Sequence, residues 1–405
     1  MKNYSTHTLS NGIRVLYHQT RSPVLYVSWG VAAGSAHERV FGTAHFCEHL
    51  MFTGTHRFPD YDDTLLSLGA TNNAWTDCNH TVYDIEAPPN TFKDILSIEA
   101  DRWNNLAFQF QKDQFVREKK VIINELKEYL DTNPLEKWEM RNPSDLFGVH
   151  HPYGHSTIGT EESIIAISMQ DIQHYLQKWY HPSNTVVCIV GQNEEADVLE
   201  ELESCWGKYT SKESFTPKEI AIPDAPSHKT TSIHLSNIPP MICWQWICRF
   251  EDTGAAEVIA MLFSSSQYGI LHHELVLNQH WAINVYAFVQ EHPNMSVLEL
   301  RIELSDESKR EQVYNYVHEV LRNIQKLASP SLLHKLQKKI RLQWYLECEE
   351  VENFKETILC WHLYHKTPLK KRIHELLHIS QQEITDCMKW ISSQSPLESH
   401  CYEQT

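Results

Sequence analysis

Two segments of this 405-residue chain open a helix in the same way. "ISMQDIQHYLQKW" begins at Ile167 and "ISQQEITDCMKWI" begins at Ile379, each setting Ser three residues ahead of an acid at the head of an apolar-periodic run. Ser168 with Asp171, and Ser380 with Glu383, are capping-box starts: the hydroxyl accepts an orphan amide of the first turn and the acid reaches back to the cap. A repeat about 210 residues apart argues for two copies of one domain, and the chain is long enough for two cores of about 200 residues each. Between the copies, "KESFTPKEIAIPDAPSHK" (Lys212 to Lys229) carries three prolines and few large apolar residues, as a surface linker does. The expected organisation is a domain over 1–211, a linker over 212–229 and a related domain over 230–405. The first capped helix runs into "YHPSNTVVCIVG", a turn and a buried-looking strand, whereas "SSQSPLESHCYEQT" after the second has no comparable strand pattern. The second domain is therefore expected to be trimmed at its end.

Short β-rich runs such as "IRVLYHQ", "VLYVSWGVAAG" and "NMSVLELRIEL" alternate with longer helical patterns such as "TFKDILSIEADRWNNLAF". That alternation suits an α+β chain of layered sheets with helices on one side of each domain. A net charge of -17 offers no basic field for phosphates, which excludes nucleic acid as an expected partner. The acidity is most simply a solvated surface; beyond that it favours a cationic partner or substrate. Ten cysteines are scattered without a Cys-x-x-Cys pair, which reads as reduced thiols in a cytoplasm-like compartment. No segment approaches the roughly 18 apolar residues of a membrane span, and "MKNYSTHTLSNGIRVLYHQT" has the pattern of neither a secretory signal nor a transit peptide.

Chemistry is concentrated in "TAHFCEHLMFTGT", where His45 and His49 stand four apart. On a helix that spacing puts two imidazoles on one face, about one turn from each other, within reach of one metal ion. Glu48 just before the second histidine gives the inverted His-x-x-Glu-His order. In a chain with 25 histidines such a match also arises by chance, so a further ligand must decide. Downstream, "DQFVREKKVIINELKEYLDTNP" reads as one helix ending before Pro134, on which Phe115, Glu118, Ile122, Glu125, Leu126 and Tyr129 share an arc. Two carboxylates on a core-facing stripe are expensive unless something positive meets them. Salt bridges to Lys or Arg would do so, and so would a metal.

In these residues the chain resembles the pitrilysin/insulinase family of zinc metallopeptidases, including the mitochondrial processing peptidase type and its small two-domain bacterial relatives. The family's third ligand is a Glu 76 residues after the second His, which here is Glu125, with a further Glu seven before it, here Glu118. "LSNGIRV", "AGSAHE", "FTGT", "NNAWT", "EADRW" and "HPYGHSTIGTEESI" match as well, densely over about residues 7 to 200 and more thinly beyond. The resemblance implies two homologous domains, each a mainly antiparallel sheet flanked by helices, the second without a metal site. It implies zinc held by His45, His49 and Glu125, Glu48 as the catalytic base, and Glu118 as an outer carboxylate that orients the site. It also implies that "NNAWT" is an edge strand holding a peptide substrate, with Asn73 and Ala74 nearest the chemistry; on sequence alone this stretch reads equally as a turn entering a strand. Cys47, inside the motif, reads as packing that could confer sensitivity to thiol reagents.

Two features complicate the assignment. "HELLH" at His374 to His378 spells the zincin order, with Glu398 20 residues on, but Glu398 sits beyond Ser395 and Pro396 in a stretch without helical periodicity. It is read instead as an amphipathic segment with its histidines outward. Family members also carry an Arg and a Tyr seven apart that grip substrate, and the matching segment "ILHHELVLNQHWAIN" has Val276 and Ile283 at those places. The resemblance then implies a homo- or heterodimer in which a related subunit supplies the pair and four domains enclose a peptide-sized chamber. A cytoplasmic or a mitochondrial-type matrix setting fits either arrangement. The alternative is a non-catalytic scaffold or core subunit that keeps the fold for assembly.

Overall fold

The structure, a computed structural model, describes residues 3–209, 215, 219–249, 253–365 and 369–404. It divides into two compact units, each discontinuous in sequence. The first comprises Met1–Glu128, Ser156–Glu219 and Leu346–Leu369, and the second comprises Tyr129–His155, Ile220–Tyr345 and Lys370–Thr405. Of the linker expected at 212–229, residues 212–214 and 216–218 lie outside the described residues, and 215 and 219–229 form neither helix nor strand.

The first unit holds a six-stranded sheet of β1 (Ser5–Thr8), β2 (Arg14–Gln19), β3 (Leu25–Val31), β4 (Thr71–Thr76), β5 (Thr81–Ala87) and β6 (Thr185–Gly191). Its order is β1-β2-β6-β3-β5-β4, with β6 parallel to β2 and antiparallel to β3. The second unit has β7 (Thr230–Leu235), β8 (Met241–Arg249), β9 (Ala282–Glu291), β10 (Met295–Leu304) and β11 (Leu397–Glu403), in the order β7-β11-β8-β10-β9. Here β11 is parallel to β7 and antiparallel to β8. Leaving β1 aside, the two orders superimpose strand for strand, and in each unit the strand that follows a capping-box helix is inserted between the unit's first two strands. The fold is α+β and duplicated.

This corrects the expectation of a trimmed second domain, because "LESHCYE" is an interior strand of its sheet. Leu397, Ser399 and Cys401 point into buried space while the residues between them do not. Period-2 alternation is present, but small and polar residues carry it, so no apolar run announces it.

α1 (Thr43–Met51), α2 (Tyr61–Ser67) and α3 (Phe92–Gln109) pack on the first sheet, the capped helix Met169–Trp179 packs on α1 and α3, and α4 (Lys112–Thr132) is joined to α1 by the Phe115 ring against Phe46. This sheet has helices on both sides and not on one as expected. The helix Val351–Tyr364, far along in sequence, belongs to the first unit and packs on β3 and β6 on the face of Ser28, Gly30 and Asp84, opposite to the Trp29 and Tyr83 face that α3 covers. Its buried Lys355 donates to Asp84 of β5 at 2.7 Å. Under α3 lies a buried polar knot. Glu99 accepts from the Trp29 indole at 2.6 Å and the Tyr61 hydroxyl at 2.9 Å and pairs with Arg102, whose guanidinium sits over the rings of Trp29, Phe52, Tyr61 and Tyr83. A pair buried in this way is more harmful half-removed than absent. Glu99→Ala is expected to cost about 3–5 kcal/mol in urea denaturation, whereas Glu99→Leu combined with Arg102→Met costs distinctly less.

Candidate metal centre

α1 begins at Gly42, which adopts φ 92°, and its first intrahelical bond runs from the Phe46 amide to the Gly42 carbonyl at 3.0 Å. Ala44, Phe46, Cys47, Leu50 and Met51 of α1 are buried, so the remaining face presents His45 and His49, whose ring centres lie 4.7 Å apart. α4 brings the carboxylates. Phe115, Ile122 and Leu126 anchor it in the core, and Phe46 stacks on Phe115 at 5.0 Å, which ties α4 to α1. The expected apolar arc ends a turn early, since Tyr129 is exposed.

Glu125 meets both imidazoles: its Oε1 lies 3.7 Å from His45 Nε2 and its Oε2 lies 3.2 Å from His49 Nε2. Glu118 faces the other side of the His49 ring, with Oε2 at 3.7 Å from Nδ1, and its Oε1 is engaged by Arg117 Nε at 3.0 Å. Among the described residues, His45, His49 and Glu125 form the single group of three or more His, Cys, Asp or Glu side chains whose ligand atoms lie within 4.8 Å of one another. Two ligands about 2.1 Å from a tetrahedral zinc stand about 3.4 Å apart. The observed separations of 3.2 and 3.7 Å bracket that value, so the residues fit the ion.

Glu48 stands beside this trio without belonging to it. It is 8% exposed and accepts a hydrogen bond from Thr76 Oγ1 at 2.5 Å, and burial raises its pKa above the usual carboxylate range. Thr76 closes β4, the edge strand of the first sheet, on which Asn73 and Ala74 pair with Asp84 and Tyr83 of β5. "NNAWT" is therefore a strand, and among the described residues its other side carries no strand partner. The sequence reading missed Thr76 and Arg117. Strand alternation puts Thr76 on the same face as Ala74, and that was the available signal.

The other singled-out residues go elsewhere. His374 and His378 are exposed and stacked on each other at 4.0 Å, while Glu398 lies on β11 beside Tyr314 and His318. Cys47 is fully buried and burial pushes its thiol well up, so it gives no route to thiol sensitivity. Val276 is partly buried against the second unit's core and Ile283 is exposed on β9, so neither position offers a polar group.

Electrostatics distinguishes the two histidines. Burial, helped by neighbouring His49, lowers the His45 pKa to about 4. Burial also pulls on His49, but pairing with Glu118 and Glu125 and the charge of Glu48 outweigh it and raise its pKa to about 9. In the metal-free chain this stabilisation is fully present below pH 6.5 and is lost as pH rises through about 9. At pH 7.5 His45 offers a neutral imidazole while His49 must release a proton before it can ligate. Calorimetric zinc titration in buffers of different ionisation enthalpy should therefore report about one proton released per ion at pH 7.5, falling toward none above pH 9.

Comparison with known proteins now places the chain. The family model described as "Insulinase (Peptidase family M16)" matches residues 14–161, and that described as "Peptidase M16 inactive domain" matches residues 166–340. The chain belongs to the M16 family of peptidases. Among its relatives, the chloroplastic stromal processing peptidase of Oryza sativa subsp. indica is 28% identical over 232 residues, covering 53% of this chain and 18% of that protein. The Bacillus subtilis protein described as an uncharacterized zinc protease, YmxG, is 26% identical over 219 residues, covering 53% of this chain and 52% of that one. The matched part is thus at most about half the length of these curated relatives. A protease structure from Helicobacter pylori superimposes with a TM-score of 0.87 at 18% identity, covering 99% of this chain and 100% of that one. A putative M16-like peptidase from Alicyclobacillus acidocaldarius gives 0.85 at 16% identity, covering 100% and 99%.

Proposed function

We propose that this chain is a zinc-dependent endopeptidase, the catalytic subunit of a dimer with a related chain. The observation that carries the proposal is the completeness of the site: three convergent ligands, a buried carboxylate beside them and an edge strand joined to that carboxylate through Thr76. His45, His49 and Glu125 would hold the ion, which when bound polarises the scissile carbonyl and acidifies the attacking water. Glu48 would take the water's proton and deliver it to the leaving amine, and burial has already raised its pKa toward the range where both transfers are feasible. Thr76, by donating to one oxygen of Glu48, leaves the other to face the reaction. Glu118 would fix the His49 ring from behind. The open side of β4 would bind an extended peptide through main-chain hydrogen bonds, with Asn73 and Ala74 alongside the scissile bond.

Relatives support the wider assignment. One similar chain is described as the β subunit of a mitochondrial-processing peptidase from Arabidopsis thaliana, and a similar fold occurs in a Candida albicans complex III structure. A partner subunit would supply the substrate-gripping Arg and Tyr that Val276 and Ile283 replace here, and the acidic surface favours a peptide with basic residues. The ten cysteines are scattered without a Cys-x-x-Cys pair, which suits the reducing compartment we propose. The absent pair is also what favours the second reading, a non-catalytic core subunit.

Glu48→Gln is expected to keep about one zinc per chain and lose peptide cleavage by at least about a hundredfold, in line with removal of a general base. Glu125→Ala is expected to lose both. Metal analysis alongside a peptide-library assay of the chain purified with its partner checks this. Cleavage at the wild-type rate by Glu48→Gln would overturn the mechanism, and absence of zinc from the wild type would favour the core-subunit reading.

A further inference from the structure

α1 carries two metal ligands and the base, yet it has no capping side chain of its own. Its N-cap is Gly42 at φ 92°, and a Cβ there would lie 2.7 Å from the Ile158 carbonyl oxygen, so Ser, Thr or Asp cannot stand at that position. The cap comes from outside the helix. Glu38 Oε1 accepts from the Gly42 amide at 2.6 Å and Oε2 accepts from the Ala44 amide at 2.8 Å, immediately before His45. The turn that carries Glu38 is itself bound to the chain leaving β4: the Ser35 amide donates to the Asp77 carbonyl at 3.0 Å and the Ala36 amide to the Cys78 carbonyl at 2.9 Å. Near its other end α1 is tied to the same hairpin by the bond from Thr76 to Glu48.

We propose that Glu38 is a positioning residue that fixes the start of α1 to the β4 hairpin and so sets the aim of His45 and Glu48 relative to Glu125 and the edge strand. The inference rests on the zinc reading for its catalytic consequence, but not for the clamp itself. Both carboxylate oxygens face amide donors, so an amide side chain of the same size cannot replace them: its NH2 would point at an N–H. Asp keeps two acceptors but falls short by one methylene.

Three measurements on Glu38→Gln and Glu38→Asp test the clamp. Hydrogen exchange of the amides of residues 42–46 should be about tenfold faster in Glu38→Gln, with α3 and α4 unchanged and Glu38→Asp between. The visible spectrum of the cobalt(II)-loaded chain should shift, with metal affinity about tenfold weaker. With peptide, kcat should fall more than KM rises. Unchanged exchange at 42–46 together with an unchanged cobalt spectrum overturns the proposal, and so does exchange that quickens uniformly across α3 and α4. If Glu38→Gln fails to fold, Glu38→Asp decides by the same readouts. If the wild type takes up no cobalt, the zinc reading fails while amide exchange still decides the clamp.

Discussion

Everything at the site depends on one electrostatic demand: α4 brings two carboxylates to the side of the helix that its apolar residues press into the core. Phe115, Ile122 and Leu126 fix that face, and Glu118 and Glu125 are carried with them. Partly desolvated carboxylates need positive charge: Glu118 meets Arg117 at 3.0 Å and the far side of the His49 ring at 3.7 Å, while Glu125 meets the imidazoles of His45 and His49. Without metal, the protonated His49 takes that part and its pKa rises, while burial, with the His49 charge beside it, lowers that of His45. A dication between the three ligands would answer the same demand more fully, so the metal-free arrangement is already shaped toward the loaded one.

The rest of the first unit serves to hold that meeting in place. α1 is pinned at both ends to the hairpin of β4 and β5, and the Phe46–Phe115 stack joins it to α4. Glu48, the three convergent side chains and the edge strand consequently share one frame, in which Glu48 hangs from the strand that would present a peptide. The second unit repeats the sheet order without, among the described residues, a second such cluster of His and Glu. Where the first has β4 beside a His-bearing helix, the second has the corresponding edge strand β9, with Tyr286 and Phe288 exposed along it.

Much of this was legible in the residues. Capping boxes at Ser168 and Ser380 announced the duplication, and both form as read. His45 and His49 share a face because helical spacing fixes it, a short-range rule that survives folding, whereas Glu125 was reached through the family resemblance and is brought to them by the packing of α4 on α1. What was not legible depended on contacts distant in sequence. β11 is buried by its neighbours, not by an apolar run, so "LESHCYE" looked unstructured. The helix Val351–Tyr364 returns to the first unit, a packing choice that no local pattern encodes. Tyr129 broke the predicted stripe because an arc on a helical projection says nothing of where the neighbouring core ends.

The central claim is that His45, His49 and Glu125 jointly hold one zinc ion. Anomalous diffraction at the zinc edge from crystals of the loaded chain tests it most directly. The account predicts a single strong peak per chain, within ligand distance of both imidazoles and the Glu125 carboxylate. A peak at the exposed His374–His378 pair instead, or no peak with zinc in the crystallisation medium, would contradict it.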